Sequence, residues 1–399
     1  MYEVIIIGTG PAGLMAAIEA SKNNKVLVIE KNSKPGRKLL ITGGGRCNVT
    51  NLKSNKDFLE QIKHNRKYLY SVINRFGPQD IYNFFIENNV LLKEEKENQI
   101  FPVSNNSNDI LNALLKNIDN KIINYNESVI EIVYKQNNIK VITNKNTYIT
   151  KNIIIATGGA SYKKTGSAGE HIKFAKMLGQ PIIDLYPAET GVILNNKHDL
   201  AGISLEQVIV SFNKKEFEGN LIFTHRGLSG TSIMKASEHI YLNNVKNIYI
   251  DLLPNYSIEE LGDLINSYNR EKEVSTFLNE YFSKRLSNYL INKCIFPDNI
   301  KIKNLNKPQA LELINNIKNC MFNVKEVCSI DEAYVTGGGI DMKYINSKTM
   351  ESTINKGVYF AGECLDIHGP IGGYNITLAI STGYAAGINV GVNNDEKKK

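Results

Sequence analysis

The first thirty residues constrain the fold more than any other part of this 399-residue chain. An apolar run at residues 4–7, rich in branched side chains, is typical of a strand buried on both faces. The sequence GTGPAG follows at residues 8–13, then a helical pattern, then a second apolar run that ends at Glu30. A strand, a glycine turn, a helix and a second strand in this order predict the start of a parallel α/β sheet.

The spacing of the first three glycines indicates a site for a nucleotide that carries a pyrophosphate. Gly8 permits the tight turn, Gly10 lets the main chain approach the phosphates, and Gly13 lets the helix pack closely on the strand. The helix N-terminus offers N–H groups and a partial positive charge to the phosphates. Glu30 can accept hydrogen bonds from both ribose hydroxyls, which favours a nucleotide without a 2′-phosphate and leaves FAD and NAD.

Four glycine-rich segments stand at predicted strand ends, at residues 8–13, 41–51, 156–159 and 361–376. Open α/β sheets bind their ligands at the carboxyl ends of the strands. One NAD would not need so many points of close approach, whereas the longer FAD also needs a cradle for its isoalloxazine ring. We therefore expect FAD, held non-covalently.

The sequence pattern divides the chain into a nucleotide domain with an insertion. Residues 1–190 form the first part of that domain, and residues 326–393 return to the same strand–glycine–helix pattern. Between them, residues 191–253 alternate apolar and polar side chains, which predicts a small β-barrel, and residues 254–325 predict a helical subdomain. Residues 394–399 are expected to be a disordered tail.

Two local expectations concern helices in the first part. The pattern over residues 57–76 predicts helix throughout, and Ser107 or Asn108 is expected to be the N-cap of a later helix.

Composition excludes several classes of protein. The chain contains no run of eighteen apolar residues, and its N-terminus lacks the pattern of a signal peptide, so we expect a cytoplasmic protein without a membrane span. Five scattered cysteines and six unclustered histidines offer no spacing for a redox dithiol or a metal site. The net charge of +7 could attract an anionic partner, but the basic residues are dispersed, so we expect no nucleic-acid partner. The oligomeric state is left open.

Several longer motifs resemble one bacterial family of FAD-binding flavoproteins. The motifs are GRKLLITGGGRCNVTN, IIIATGGASY, FTHRGLSG and GVYFAGECLDIHGPIGGYN, and the resemblance covers nearly the whole chain. Members of that family are described as aminoacetone-oxidase-like or as bile-acid Δ4,6-reductase-like oxidoreductases that use NAD(P) and FAD. The resemblance implies an α/β fold: a glutathione-reductase-type, Rossmann-like FAD domain interrupted by an inserted β-barrel and a small helical subdomain.

The fingerprint and the resemblance together give the candidate cofactor-binding residues. Arg46 is expected to neutralise phosphate charge, Glu363 to bond a ribityl hydroxyl or a phosphate-bound water, and residues 372–376 to face the flavin ring. The full set is Gly8, Gly10, Pro11, Ala12, Gly13, Glu30, Lys31, Lys38, Thr42, Gly44, Gly45, Arg46, Cys47, Asn48, Val129, Ala156, Thr157, Gly158, Gly159, Gly362, Glu363, Gly372, Gly373, Tyr374, Asn375 and Ile376.

Candidate catalytic groups are fewer. The resemblance places His225 at the flavin cleft, where it could donate a proton or could instead fix its own loop. Tyr374, beside a flavin-binding loop, is a second candidate, and His368 is weaker. Cys47 and Cys364 lack neighbouring cysteines and are interpreted as inert packing thiols.

Four functions remain open at this point, and one of them is a non-catalytic FAD-binding scaffold with a closed cleft. In the first, NAD(P)H binds transiently, reduces FAD, and the flavin passes hydride to a small unsaturated or carbonyl-conjugated organic substrate. In the second, an amine is oxidised and oxygen reoxidises the flavin. In the third, the chain is an RNA-associated flavoprotein. The chain lacks a second strand–GxGxxG–helix unit, so no dedicated NAD(P)H domain is predicted.

Overall fold

The computed structural model describes residues 2–62, 64–135, 138–294, 296–297 and 299–391. These residues form two compact units. The first runs to Tyr186 and resumes at Ile330, and the second is Pro187–Ser329. The sequence placed the junctions after residues 190 and 325, four residues from those at 186 and 329. The predicted tail at 394–399 lies outside the described residues.

The regular elements of the chain up to the first junction are given in order. Strands and helices are β1 (Val4–Ile7), α1 (Pro11–Ala20), β2 (Val26–Ile29), β3 (Thr50–Asn51), α2 (Asn55–Gln61), α3 (Tyr70–Arg75), α4 (Pro78–Glu87), β4 (Leu92–Glu94), β5 (Gln99–Pro102), α5 (Ser107–Lys116), β6 (Ile123–Asn124), β7 (Val129–Lys135), β8 (Asn138–Thr143), β9 (Thr147–Thr150), β10 (Asn152–Ile155), α6 (Glu170–Leu178) and β11 (Ile182–Ala188).

The second unit and the closing part of the first follow. The second unit contains β12 (Val192–Leu194), β13 (Ser204–Phe212), β14 (Lys215–Phe223), β15 (Gly227–Ser229), α7 (Thr231–Leu242), β16 (Asn247–Asp251), α8 (Ile258–Ser267), α9 (Val274–Leu278), α10 (Lys284–Lys293), α11 (Lys307–Lys318) and β17 (Cys320–Val327). The closing part contains β18 (Val335–Ile340), β19 (Val358–Phe360) and α12 (Tyr374–Asn389).

The first unit is built on a five-stranded sheet with the strand order β19-β10-β1-β2-β6. All neighbouring strands in it are parallel. The strands β1, β2 and β10 are buried along nearly their whole length, as their continuous apolar runs predict. The carboxyl ends of β1, β2, β10 and β19 meet at one edge of the sheet. The residues that follow these strands are Gly8, Glu30, Ala156 and Ala361. The α/β fold predicted from the first thirty residues is confirmed.

The first and last helices, α1 and α12, pack closely against each other. Gly383 of α12 lies so close to α1 that an added Cβ would be 2.2 Å from the Ala12 carbonyl oxygen. An added Cβ at Gly387 would lie 2.7 Å from the Ala16 carbonyl oxygen. The glycines of α12 therefore bring the last helix of the chain against the first, and this contact closes the nucleotide domain.

The sequence predicts that the segment 41–51 is a loop at the end of a strand, and this prediction is wrong. Helical turns within Leu39–Gly45 are interrupted by non-helical backbone at Thr42, Gly43 and Gly44, and the chain then leads into β3. Gly43, Gly44 and Gly45 all have positive φ angles, of 56°, 69° and 87°. Side chains rarely adopt this conformation, so the glycine triplet is explained by the turn itself.

Two predictions about helices are wrong. The segment expected to be helix over 57–76 is broken between α2 and α3, because Ile62 is extended with ψ of 106° and Asn65 is left-handed with φ of 53°. The N-cap of α5 is Asn106, whose side chain accepts from the Asn108 backbone N–H, and not Ser107 or Asn108. The break depends on the backbone conformation of two residues and the cap on a side-chain hydrogen bond, and a periodicity of apolar residues reveals neither.

The second unit contains a closed six-stranded barrel in the order β12-β15-β14-β13-β16-β17. The predicted barrel at 191–253 was incomplete, because β17 belongs to it and follows the helices α8 to α11. β17 pairs antiparallel with both β16 and β12 and so closes the ring. The helical subdomain is thus inserted within the barrel rather than placed after it.

No helix among the described residues is both long enough and apolar enough to cross a membrane. Within the same residues, no group of three or more His, Cys, Asp or Glu side chains is arranged to hold a metal ion.

Candidate functional site

A deep pocket in the first unit lies at the carboxyl edge of the parallel sheet. Its walls come from the turns after β1, β2 and β10, from the turn after β19, and from the start of α12. The segment 36–42 and the start of α6 complete it. This is the place at which open α/β sheets bind their ligands.

Sixteen of the predicted cofactor residues line this pocket. They are Gly8, Gly10, Pro11, Ala12, Glu30, Lys31, Lys38, Thr42, Val129, Ala156, Thr157, Gly158, Gly362, Glu363, Asn375 and Ile376. The other ten stand outside its lining. They are Gly13, Gly44, Gly45, Arg46, Cys47, Asn48, Gly159, Gly372, Gly373 and Tyr374.

The three fingerprint glycines have different surroundings. Gly8 has φ of 104°, and an added Cβ would lie 2.5 Å from the Ala156 carbonyl oxygen. An added Cβ at Gly13 would lie 2.0 Å from the Gly8 carbonyl oxygen, so this residue serves the helix–strand contact. At Gly10 an added Cβ would meet no atom within 4 Å, because it points into the pocket. Gly10 is therefore the glycine that leaves room for a ligand.

Glu30 is buried at the end of β2 and lines the pocket. The Thr9 backbone N–H donates to Oε2 at 3.1 Å, and the Asn32 backbone N–H donates to Oε1 at 2.7 Å. The Thr9 hydroxyl and the Asn32 side-chain amide also donate to this carboxylate. Ribose hydroxyls would replace these two mobile side-chain donors, while the two backbone donors hold the carboxylate in place.

Several buried polar atoms at the pocket lack a partner within the described structure. They are Thr157 Oγ1, Ser167 Oγ and Glu170 Oε2. Buried polar atoms are rarely left unpaired in folded proteins, so these atoms call for hydrogen-bonding groups in the pocket. The hydroxyls and phosphates of FAD supply such groups, and the residues present fit this cofactor.

Lys38 and Glu363 form an ion pair inside the pocket. Lys38 Nζ lies 2.7 Å from Glu363 Oε2 and donates to the Ser161 hydroxyl at 2.7 Å. The backbone N–H of Thr336 also donates to Glu363, at 3.0 Å. Although burial acts in the opposite direction, the Lys38 ammonium and these hydrogen bonds hold the pKa of Glu363 below its usual value. Glu363 therefore stays ionised, and Lys38 is fixed beside it.

Arg46 has protein partners of its own outside the pocket lining. Its Nη1 lies 2.9 Å from Glu95 Oε1, and its guanidinium stacks on the Phe101 ring at 4.1 Å. The role of Arg46 in neutralising a phosphate stays a prediction, and in this structure the Glu95 carboxylate is the partner of its guanidinium. Asn48 binds backbone: with its amide turned to suit its neighbours, it donates to Thr50 O at 3.1 Å and accepts from Gly373 N at 3.3 Å.

The cysteines near these loops are buried and unreactive. Cys47 and Cys364 are fully buried, and both are free thiols. Burial raises the pKa of each thiol to about 12. Neither is a thiolate near neutral pH, which supports their interpretation as packing residues.

The two predicted catalytic residues lie in different units. His225 is exposed in the turn between β14 and β15 of the barrel unit. Tyr374 begins α12, and its ring is buried and stacked on Phe58 with centroids 4.7 Å apart. Burial raises the pKa of Tyr374 to about 12. The catalytic roles of both residues stay predictions.

Sequence reasoning missed several pocket residues. Thr9, Asn32, Ser167 and Glu170 line the pocket or hold its groups, yet none was selected. Thr9 is a variable position within the fingerprint, and Asn32 directly follows the acidic residue. Ser167 and Glu170 follow the glycine-rich segment 156–159 by about ten residues. Their nearness to that segment in the sequence was the signal that could have identified them.

The sheet, the fingerprint geometry and the unpaired polar atoms define an FAD-binding oxidoreductase. The comparisons with known proteins agree with this class. Residues 2–389 match the family described as the HI0933-like protein Rossmann domain, and the chain belongs to that family.

Two curated relatives are similar to almost the whole chain. A "ribosomal RNA dihydrouridine synthase" of Haemophilus influenzae is 33% identical over 403 residues, covering 97% of this chain and 98% of that protein. A "3-dehydro-bile acid delta(4,6)-reductase" of Clostridium scindens is 26% identical over 406 residues, covering 97% and 98%.

A solved structure shares the fold. The 3-ketosteroid delta1-dehydrogenase of Sterolibacterium denitrificans has a TM-score of 0.52 at 14% identity, covering 97% of this chain and 98% of that one. The predicted FAD cofactor and the class of oxidoreductase are confirmed. The nicotinamide donor, the amine-oxidase alternative and the absence of a nucleic-acid partner stay predictions.

Proposed function

We propose that this chain is an FAD-dependent reductase that saturates a carbon–carbon double bond conjugated to a carbonyl, and that its substrate is a uridine of ribosomal RNA. The observation that carries the proposal is the near full-length similarity to two relatives whose names share one chemical step. Making dihydrouridine saturates the C5–C6 bond of uracil, which is conjugated to the C4 carbonyl. Reducing a 3-oxo bile acid at its Δ4 or Δ6 position saturates a similarly conjugated bond.

The pocket provides what such a reaction requires of the protein. Bound and reduced FAD supplies the hydride. Gly10 and the N-terminus of α1 would hold the pyrophosphate of FAD, and Glu30 would bind the ribose. The Thr157 and Ser167 hydroxyls would form hydrogen bonds with polar groups of the cofactor. Asn375 and Ile376 place the N-terminus of α12 at the pocket, where its partial positive charge would stabilise a reduced, anionic flavin.

Uridine in RNA is favoured over a small enone by two observations. The relative named for ribosomal RNA is the more similar of the two, at 33% against 26% identity. The net charge of +7 suits a polyanion, although the dispersed basic residues had argued against one. The second candidate is a small substrate of the 3-oxo steroid type, supported by the bile-acid reductase. Neither of these relatives is named as an amine oxidase, so we do not carry that alternative further.

The test compares the two substrates under anaerobic conditions. Purified holoprotein, with NADPH or NADH, is incubated with unmodified ribosomal RNA or with a 3-oxo-Δ4 steroid, and products are measured by mass spectrometry of nucleosides and steroids. We expect dihydrouridine in the RNA and a rate that falls steeply with salt, because phosphate contacts release counterions. The Gly10→Val variant serves as the flavin-free control. Reduction of the steroid alone would favour the second candidate, and reduction of neither would refute the reductase proposal.

A further inference from the structure

A histidine and an aspartate outside the predicted site form a dyad in the first unit. His64 Nε2 lies 2.8 Å from Asp366 Oδ1. The Asp366 side chain is 4% exposed, whereas that of His64 is 35% exposed, so the pair has one buried and one accessible member. This arrangement joins the break between α2 and α3 to the loop between β19 and α12.

Asn65 completes the geometry of the dyad. Its side-chain amide donates to the Asp366 carbonyl oxygen at 2.7 Å and to Asp366 Oδ2 at 2.9 Å. The left-handed backbone of Asn65 brings this amide and the neighbouring imidazole to the same carboxylate. The same amide nitrogen also lies 3.0 Å from His64 Nε2. When Nε2 carries a proton, the imidazole donates to Oδ1 and the two amide protons serve the carbonyl oxygen and Oδ2, so that the carboxylate orients the ring.

One loop links the dyad to the wall of the pocket near the start of α12. Asn375, which lines the pocket, accepts from the Gly369 N–H at 2.9 Å and donates to the Gly369 carbonyl at 2.8 Å. Gly369 also packs on the segment before the dyad, since an added Cβ there would lie 2.5 Å from Ile62 Cδ1. The loop that carries Asp366 is therefore anchored to the pocket wall and to the histidine's own segment.

Other titratable residues lie around His64. His368, on the same loop as Asp366, stacks on the His64 ring with centroids 5.5 Å apart. Tyr186 of β11 lies edge-on to His368 at 6.2 Å. Arg66 and Lys67 follow on the histidine's own segment and are exposed. The Asp366 carboxylate, with Oδ1 2.8 Å from Nε2, would stabilise a positive charge on the imidazole.

Saturating a carbonyl-conjugated double bond needs a proton as well as a hydride. The hydride, with its electron pair from the reduced flavin, adds to the carbon β to the carbonyl. The π electrons of the double bond then shift through the conjugated system onto the carbonyl oxygen. A proton must then reach the α carbon. We propose, building on the proposed function, that the His64 imidazolium delivers this proton and that Asp366 is the positioning residue that orients it. Solvent then returns a proton to His64, and a reduced nicotinamide restores the reduced flavin.

The experiment measures the two half-reactions separately in His64→Gln, in Asp366→Asn and in the control His239→Gln, a histidine on α7 of the other unit. We expect His64→Gln to keep the flavin spectrum and the rate of flavin reduction by NADPH. Its rate of double-bond reduction should fall by about 10²–10⁴-fold, the usual range for removing a general acid. We expect wild-type turnover to fall at alkaline pH, because the imidazolium loses its proton. This fall should be absent from the pH profile of His64→Gln. The control should behave as wild type.

A second measurement does not depend on turnover. Nitrogen-15 NMR of the flavin-free protein should show the neutral His64 with its proton on Nε2, and Asp366→Asn should yield a mixture of tautomers.

The outcomes separate the dyad from the proposed function. If the wild type reduces neither RNA uridine nor the steroid, both proposals fall. If it reduces either one while His64→Gln keeps the wild-type rate and pH profile, the dyad proposal alone is overturned. An unchanged tautomer in Asp366→Asn would overturn the positioning role of the aspartate.

Discussion

Two glycines of the same fingerprint should fail in opposite ways when a side chain is added. Gly10 has φ of −72° and ψ of 178°, which any residue adopts, and its added Cβ would point into open pocket. Gly13 lies in α1, and its added Cβ would be 2.0 Å from the Gly8 carbonyl oxygen. Gly10→Val should therefore remove the cofactor without harming the fold, and Gly13→Ala should harm the fold first.

The magnitudes follow from these contacts. Overpacking costs about 1–3 kcal/mol, and a contact this short belongs at the upper end, so Gly13→Ala should lose about 3 kcal/mol. Helix propensity returns about 1 kcal/mol, which leaves the flavin-free protein about 2 kcal/mol less stable. In Gly10→Val, loss of two charge-assisted hydrogen bonds to phosphate, each about 1.5–3 kcal/mol, should weaken FAD binding by about 10²–10⁴-fold.

Two assays on the same preparations check this reasoning. Urea unfolding of the flavin-free proteins gives the free energy of unfolding, and quenching of flavin fluorescence gives the FAD dissociation constant. Gly10→Val should unfold within about 1 kcal/mol of the wild type, because the pocket accepts the side chain when empty of ligand. Wild-type FAD affinity in Gly10→Val would refute the placement of the pyrophosphate. A wild-type unfolding curve for Gly13→Ala would refute the packing argument.

Three further predictions concern buried groups. Replacing Cys47 and Cys364 together by alanine should keep FAD and most turnover, whereas loss of turnover with FAD still bound would reveal a thiol relay. Burial lowers the pKa of His171 to about 4 from its usual 6.5, so the unfolded state binds the extra proton between these values. The free energy of unfolding should therefore fall by about 3 kcal/mol as the pH falls from about 6.5 to 4. Unfolding experiments at pH 7 and 4.5 should show this loss in the wild type but not in His171→Leu. An equal loss in both proteins would exclude His171 as its source. Glu30→Ala should weaken FAD binding by about 1–3 kcal/mol and also destabilise the flavin-free protein, since two backbone N–H donors lose their acceptor, while Glu30→Gln should spare most of the stability. Equal stability of Glu30→Ala and wild type would show that those donors find other partners.

The nucleotide domain could be predicted from sequence because its signals are local. The glycines at 8, 10 and 13, the helix that follows them and the acid at 30 all belong to one strand–helix–strand unit. Each residue type has a backbone or charge requirement that it alone meets at that spacing, so the fingerprint specifies both the turn and the ligand. The glycine turns after β10 and β19 were recognisable for the same reason.

The tertiary structure decided what depends on partners distant in the chain. β17 closes the barrel by pairing with strands far before it, and no local pattern assigns a strand to a ring that it completes. Arg46 pairs with Glu95 because β3 and β5 bring these segments together. His64 meets Asp366 across 302 positions of sequence, in a segment where the backbone of Ile62 and Asn65 interrupts a helix that periodicity had made continuous. Side-chain hydrogen bonds of this kind depend on which segments the fold brings together, and a one-dimensional pattern does not contain that information.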